Sequence, residues 1–190
     1  VLITSALPNE GKSTVSANLA RTVAQGGARV LLIDGDLRKG TLHSVMGLQR
    51  EPGLSELLLQ NLDPSKVIQI DSIPNLSFIA AGMRLHNPGD LFLGHTFDQL
   101  LARWREQYDY VVIDSSPVFA ADDATTLAPK VDGTLFVVRS KFTGARQVKE
   151  ALELLIRRQA KVLGLVLNRA DASKRSYHYY KYAEYYAKNE

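Results

Sequence analysis

Short apolar runs rich in Val, Ile and Leu alternate along this chain with longer amphipathic segments. Such alternation is typical of βα units that wind into a mostly parallel sheet with helices on both faces, an α/β fold. The apolar runs predict strands at Val1–Thr4, Arg29–Asp34, Leu76–Ala80, Tyr110–Asp114, Thr134–Val138 and Val162–Leu167. The amphipathic segments predict helices at Lys12–Gln25, Asp90–Gln107, Asp122–Lys130 and Ala145–Gln159. Ligands of such a sheet bind beyond the carboxyl ends of its strands.

The bulk composition narrows the class further. With 190 residues, of which 45% are hydrophobic and 23% charged, the chain is long enough for one sizeable core. No apolar run approaches the roughly 20 residues of a membrane-spanning helix. Zero cysteines exclude disulfides and thiolate metal sites, which suits a reducing, cytoplasmic compartment. The net charge of +3 arises from interspersed basic and acidic residues, so we expect no nucleic-acid partner.

The segment after the first predicted strand, Ala6–Thr14, fits the pattern GxxxxGK[S/T] except that alanine replaces the first glycine. In such a phosphate loop, backbone N–H groups and the N-terminus of the next helix cradle phosphate, the lysine reaches the β- and γ-phosphates, and the hydroxyl binds Mg²⁺. A strand-to-helix turn with an exposed lysine would show the same pattern. The loop predicts an ATP site formed by Asn9, Glu10, Gly11, Lys12, Ser13 and Thr14.

Two further predicted strands end in carboxylates. Asp34 and Asp36 follow the second strand, and Asp114 ends the strand Tyr110–Asp114. Charge beside a buried strand is costly unless a cation or hydrogen bonds compensate it, and Mg²⁺ would do so. Either strand end alone could be a helix cap or a turn. Together with the phosphate loop they predict a Mg²⁺ site formed by Ser13, Asp36 and Asp114.

The end of the chain is rich in tyrosine. We expect residues 1–172 to form the folded domain and residues 173–190 a flexible tail. Its hydroxyls could enter an acidic, Mg²⁺-containing site as phosphate acceptors, or its rings could bind a partner protein or RNA. The candidate autophosphorylation sites are Tyr177, Tyr179, Tyr180, Tyr182, Tyr185 and Tyr186.

The motifs together resemble those of the bacterial tyrosine kinases (BY-kinases) of exopolysaccharide and capsule synthesis, over essentially the whole chain. That family has a Walker A loop, a DxDxR motif called Walker A′, a Walker B strand ending in D[S/T]xP, and a C-terminal tyrosine cluster. Here Asp34–Arg38 matches Walker A′ and Asp114–Pro117 matches Walker B. The resemblance implies a P-loop NTPase-like fold and an ATP- and Mg²⁺-dependent protein-tyrosine kinase that phosphorylates its own tail between molecules.

Catalytic roles follow from the chemistry of phosphoryl transfer, which needs positioning and charge neutralisation. Lys12 is expected to neutralise phosphate charge and Asp36 to hold Mg²⁺, which leaves Asp34 to accept the tyrosine proton. The roles of Asp34 and Asp36 could be reversed. Arg38 either steadies Walker A′, meets the acceptor or is a surface residue. By resemblance, Asn168 contacts adenine, although a turn residue would occupy the same place.

The resemblance also implies partners: a membrane-anchored polysaccharide chain-length regulator, fused or separate, a protein-tyrosine phosphatase, protein substrates, and further copies of the chain in a ring. It implies a location at the cytoplasmic face of the plasma membrane. Because residue 1 lies inside an apolar run with no preceding Met, we expect a longer protein. Two alternatives stay open: a MinD/ParA-type ATPase switch, whose signature lysine is replaced here by Leu7, and a binding module that only senses nucleotide.

Overall fold

The chain folds around one central sheet. A computed structural model describes residues 1–60 and 62–171. The strands are β1 Leu2–Ser5, β2 Val30–Asp34, β3 Ile68–Ile70, β4 Leu76–Ile79, β5 Tyr110–Asp114, β6 Thr134–Arg139 and β7 Val162–Asn168. The α-helices are α1 Lys12–Gln25, α2 Leu42–Met46, α3 Leu54–Gln60, α4 Gly89–Leu93, α5 His95–Gln107, α6 Asp123–Leu127 and α7 Ala145–Arg157. Short 3-10 turns at Pro64–Lys66 and Ala128–Lys130 complete the described elements.

The sheet has the strand order β3-β4-β2-β5-β1-β6-β7. Every neighbouring pair is parallel except β3 and β4, which run antiparallel. The central strands β1 and β2 are buried at every position, as expected for parallel strands covered on both faces. The predicted α/β fold with a mostly parallel sheet is therefore confirmed.

Helices cover the two faces of the sheet with different side chains. On one face α1 presents the small residues Ala17, Ala20 and Ala24 to β-strand side chains, so the helix lies close to the sheet. On the other face the larger Phe97 and Trp104 of α5 are buried. The two cores hold the central strands rigidly, and their carboxyl ends meet at one edge.

Several predicted boundaries differ from the structure. The segment predicted as one helix from Asp90 to Gln107 is divided at Gly94, whose extended backbone (φ −68°, ψ 147°) ends α4 and starts α5. Phe92 and Phe97 pack edge to face across this break, with ring centroids 5.3 Å apart. The helix predicted from Asp122 to Lys130 tightens into a 3-10 turn after Leu127, where Pro129 has no N–H to donate.

The sequence does not predict two helices and one strand: α2, α3 and β3. Each is seven residues or shorter, too short for a helical or strand period to stand out from its neighbours. Within residues 1–60 and 62–171, no helix is long and apolar enough to span a membrane.

Candidate functional site

The phosphate loop leaves β1 and enters α1 in a conformation suited to anions. Asn9 (φ 65°) and Gly11 (φ 90°) both have left-handed backbone, a pattern that turns backbone N–H groups into a common concavity. A Cβ atom at Gly11 would lie 2.1 Å from Nδ2 of Asn168, and the φ of 90° would strain any other residue, so both features favour glycine. Ala6, by contrast, is fully buried in the core and has no left-handed φ. The alanine at the first motif position is therefore compatible with the loop.

A cavity of about 520 Å³ opens beside this loop. Lys12 lies on one side of it, and its Nζ is 3.9 Å from Oδ2 of Asp36. The loop, the segment after β2 and the segment after β5 all contribute to the lining, which comprises Pro8, Asn9, Gly11, Lys12, Ser13, Thr14, Asp36, Arg38, Lys39, Thr41, Val45, Ser116, Pro117, Ala120 and Arg169. The structure therefore brings the phosphate loop and Asp36 together, as predicted from their strand ends.

Asp34 and Asp36 differ sharply although only one residue separates them. Asp34 is fully buried, and its two oxygens accept the N–H groups of Asp36 (3.2 Å) and Leu42 (3.0 Å). Burial and the neighbouring Asp114 carboxylate raise the pKa of Asp34 to about 8. Asp36 instead lines the cavity, and its Oδ1 accepts the N–H of Lys39 at 2.9 Å. Asp36 is thus the carboxylate of this motif that faces the cavity.

Asp114 lies next to Asp34, because the register of β2 and β5 pairs the two residues. It is 1% exposed, and its Oδ1 accepts a hydrogen bond from the Ser16 hydroxyl at 3.1 Å. Burial raises the pKa of Asp114 to about 6, against the opposing effects of Lys12 and of hydrogen bonds from Ser13 and Ser16. The Walker B carboxylate therefore lies beneath the start of α1, beside the hydroxyl predicted to bind the cation.

Arg38 links two segments of the fold, which favours the role of steadying Walker A′ over that of a surface residue. Because it also lines the cavity, contact with the acceptor stays a prediction. Its Nε donates to Oδ2 of the fully buried Asp123 at 3.2 Å, and its guanidinium also donates to the His86 carbonyl. Burial raises the pKa of Asp123, and the bond from Arg38 opposes that rise. Arg38 therefore ties the segment after β2 to the start of α6.

Asn168 reaches the phosphate loop directly. Its Nδ2 donates to the Glu10 carbonyl at 2.9 Å, and its Oδ1 accepts the N–H of Arg169. Its contact with adenine stays a prediction. The sequence did not indicate that Arg139, Thr143 and Arg169 would also approach the loop or its cavity. Only the position of Arg169, directly after Asn168, could have pointed to it.

A divalent cation fits this donor set when phosphate oxygens complete it. Within the described part of the chain, no group of three or more His, Cys, Asp or Glu side chains is arranged to hold a metal by itself. Mg²⁺ in nucleotide sites is typically bound by one or two carboxylates together with phosphate oxygens and water. Ser13 and Asp36 at the cavity and Asp114 beneath it meet that need. The six tail tyrosines predicted as phosphorylation sites lie outside the described residues.

Comparison with known proteins places the chain in a family. The family model described as an AAA domain matches residues 9–161. The tyrosine-protein kinase YwqD of Bacillus subtilis is 38% identical over 95% of this chain and 76% of its own length. EpsB of Ralstonia solanacearum is 39% identical over 97% of this chain. The chain spans only about a quarter (26%) of the length of EpsB.

Solved structures agree with the sequence relatives. The chimerical protein CapA2B2 superposes with a TM-score of 0.86 and 37% identity, over 89% of this chain and 75% of its own. The septum site-determining protein MinD of Pyrococcus horikoshii, at 22% identity and a TM-score of 0.76 over 92% of this chain and 71% of its own, shares the fold alone. The family resemblance inferred from the motifs is confirmed. The chain belongs to the AAA domain family and, within it, to the P-loop tyrosine kinases of bacteria, the BY-kinases.

Proposed function

We propose that the chain is a protein-tyrosine kinase domain that uses ATP and Mg²⁺. The observation that carries this proposal is the shared cavity of the phosphate loop and Walker A′, where Nζ of Lys12 lies 3.9 Å from Oδ2 of Asp36. An acidic group in contact with the phosphate-binding lysine suits both a cation and an incoming hydroxyl. Family membership supports the same activity.

The proposed ATP site uses groups of this chain that face the cavity or lie directly beneath it. Backbone N–H groups of the phosphate loop and the N-terminus of α1, a helix of 14 residues, favour the negative charge of phosphate. Lys12 neutralises further charge on the β- and γ-phosphates. Ser13, Asp36 and Asp114 would hold Mg²⁺, which supplies positive charge to the phosphates when bound. These groups position the phosphates of ATP and neutralise their charge, as phosphoryl transfer requires.

The acceptor tyrosine needs a group that removes its proton. We propose Asp34, because it is the carboxylate of Walker A′ that is not assigned to Mg²⁺ and it lies next to Asp114 in the register of the sheet. Asp36 is the alternative, because it lines the cavity whereas both oxygens of Asp34 already accept backbone N–H groups. Neutralising each carboxylate in turn separates the two assignments.

We further propose that the acceptors include the tail tyrosines and that transfer occurs between molecules. The family supports a role in exopolysaccharide or capsule synthesis at the cytoplasmic face of the plasma membrane. The proposed partners are a membrane-anchored chain-length regulator, further copies of the chain in a ring, and a tyrosine phosphatase that reverses the modification. Six phosphotyrosines would add roughly −9 to −12 charges, enough to reverse the net charge of +3 and to loosen an assembly.

An ATPase switch of the MinD/ParA type remains the competing function because the fold is shared. In that family a lysine occupies the phosphate loop at the position of Leu7. Here Leu7 is half-buried and packs against the hydrophobic core. The loop therefore carries Lys12 as its cationic side chain, which favours the kinase.

The deciding experiment is incubation of the full chain with labelled ATP and Mg²⁺, followed by detection of phosphotyrosine. A kinase produces labelled tyrosine, whereas an ATPase switch releases phosphate without it. Transfer between molecules is tested by mixing two variants. A Lys12→Met chain can only accept phosphate, and a catalytically intact chain that lacks residues 177–190 can only donate it. Absence of label on the acceptor contradicts transfer between molecules.

A further inference from the structure

The side chain of Glu10 is fully buried inside the phosphate loop. Its Oε2 accepts the N–H of Leu7 at 2.5 Å, at the start of the loop. Its Oε1 accepts the N–H of Arg139 at 3.3 Å, at the end of β6, and the hydroxyl of Thr143, just before α7. The two backbone N–H groups and the hydroxyl all donate to the oxygens of Glu10. The Glu10 side chain therefore joins the start of the loop to the end of β6 and to the segment that follows it.

The backbone of the loop is held from the same side. The Asn9 carbonyl accepts a hydrogen bond from the Arg139 guanidinium at 3.2 Å, and the Glu10 carbonyl accepts Nδ2 of Asn168 at 2.9 Å. In a trans peptide the C=O and the N–H point in opposite directions. Holding these two carbonyls outward turns the N–H groups of Glu10 and Gly11 away from Arg139 and Asn168. Gly11 lines the cavity, whereas Arg139 and Asn168 are absent from its lining.

We infer that the Glu10 carboxylate is a positioning residue for nucleotide binding, which keeps the phosphate loop in the conformation that presents its N–H groups to phosphate. The Glu10 side chain itself is absent from the cavity lining and acts through the backbone of the loop. Thr143 supports it from the start of α7. The inference rests on the proposed ATP-dependent function. The sequence predicts a role for the backbone N–H of Glu10 only, and the inference adds a role for its side chain.

The test compares Glu10→Gln with Glu56→Gln in the full chain. Glu56 is a matched control because it is also buried and accepts two backbone N–H groups, from Gly53 (2.9 Å) and Met83 (3.0 Å), yet does not line the cavity. Glutamine keeps the shape of the glutamate side chain but replaces one accepting oxygen with an N–H₂ group, which then faces a hydrogen-bond donor. We expect both changes to lower the melting temperature, and Glu10→Gln alone to weaken binding of ATP·Mg²⁺ and ADP·Mg²⁺ about tenfold in calorimetry.

Thr143→Val provides a milder variant that removes one donor and keeps the fold. We expect it to weaken nucleotide binding about threefold, and to add little when combined with Glu10→Gln, because the two residues act through one bond. The inference also predicts that KM for ATP rises while kcat at saturating ATP changes much less. A purely structural role would lower the melting temperature without raising KM for ATP more than it changes kcat.

An unchanged affinity in Glu10→Gln, or an equal loss in Glu56→Gln, overturns the inference. If Glu10→Gln does not fold, an unchanged affinity in Thr143→Val overturns it. Nucleotide affinity and phosphotyrosine are measured separately, so failure of the Glu10 inference can be distinguished from failure of the kinase proposal. A wild-type chain that binds ATP but labels no tyrosine contradicts the kinase proposal and leaves the Glu10 comparison valid.

Discussion

The two motifs that meet at the cavity are held in opposite ways. In the phosphate loop, side chains from other segments hold the backbone: Arg139 and Asn168 bind its carbonyls. In the acidic segment after β2, the backbone holds the side chains: N–H groups of Asp36, Lys39 and Leu42 bind the carboxylates. The difference matches what each motif presents, since the loop offers backbone N–H groups and the acidic segment offers carboxylate oxygens.

The two motifs should respond differently to substitutions elsewhere in the fold. The phosphate loop depends on distant segments, so its geometry should be sensitive to changes after β6 and β7. The acidic segment holds its carboxylates with nearby backbone N–H groups, and Arg38 links the segment to Asp123 at the start of α6. Changes after β6 and β7 should therefore alter nucleotide affinity through the shape of the loop. Changes in the acidic segment should act through its own carboxylates, on Mg²⁺ binding, catalysis or stability.

Lys12→Met should have one of the largest effects. Removing one well-placed charge from the transition state costs on the order of 10²–10³ in rate, so phosphotyrosine should fall by about that factor. Far-UV circular dichroism should be unchanged, because Lys12 contributes a cavity-lining side chain rather than core packing. Near-normal phosphotyrosine in a folded Lys12→Met chain would remove the phosphate loop from the mechanism.

Asp34→Asn and Asp36→Asn should fail at different steps. Loss of a general base typically costs about 10²–10⁴ in rate, so Asp34→Asn should bind ATP·Mg²⁺ normally and lose transfer. Asp36→Asn should weaken the Mg²⁺-dependent part of nucleotide binding, because it removes a carboxylate that faces the cavity. Calorimetry with and without Mg²⁺, together with single-turnover phosphorylation, distinguishes them. The opposite pattern would reverse the two assignments.

The buried carboxylates should make the chain without nucleotide or cation less stable as pH rises. The pKa of Asp34 is about 8 in the folded state, well above its unfolded value of about 3.9. Between these values the folded state keeps a proton that the unfolded state has released, so stability falls with increasing pH, by at most about 1.4 kcal/mol per pH unit for one group. Urea unfolding from pH 5 to 8 measures this slope, and Asp34→Asn should reduce it. A slope that persists in the variant would assign it to other groups.

Arg38→Ala should lower stability by about 1–3 kcal/mol, because it leaves the buried carboxylate of Asp123 without its charged partner. Adding Asp123→Asn should recover part of the loss, since the uncompensated charge is then gone. Denaturant unfolding of both single variants and of the double variant measures the coupling. If the losses simply add, Arg38 and Asp123 act independently and the link between the acidic segment and α6 is unimportant.

Ala6→Gly should have the smallest effect. The residue has no left-handed φ, so glycine at this position brings no conformational benefit and costs roughly 0.5–1 kcal/mol through added freedom of the unfolded chain. Affinity for ATP·Mg²⁺ should stay unchanged. A clear gain in affinity would show that the alanine restricts the phosphate loop after all.

Much of the fold could be predicted because its signals are local and strong. The central strands are continuous apolar runs, and α1 and α7 carry long periodic patterns, so β2, β5 and α1 were located to within a residue. The division at Gly94 was missed because it depends on Phe92 packing against Phe97 across the break, not on helix propensity. The short α2, α3 and β3 carry too few residues for a period to register.

The sequence by itself determined the chemistry of the candidate site. The phosphate loop and Asp36 follow a strand, Asp34 and Asp114 end one, and parallel strands end at the same edge of a sheet. Their meeting was therefore predictable, because it needs only the order of local elements. The same reasoning placed Asn168 at that edge, at the end of β7.

Only the tertiary structure decided which groups face the cavity and which are buried behind it. Asp34 and Asp36 are indistinguishable in sequence, yet the backbone N–H groups of Asp36 and Leu42 draw one carboxylate inward while the other faces Lys12. The contacts of Glu10 with Arg139 and Thr143 join residues about 130 positions apart. Such hydrogen bonds depend on distances and directions between separate segments, and no local pattern records them.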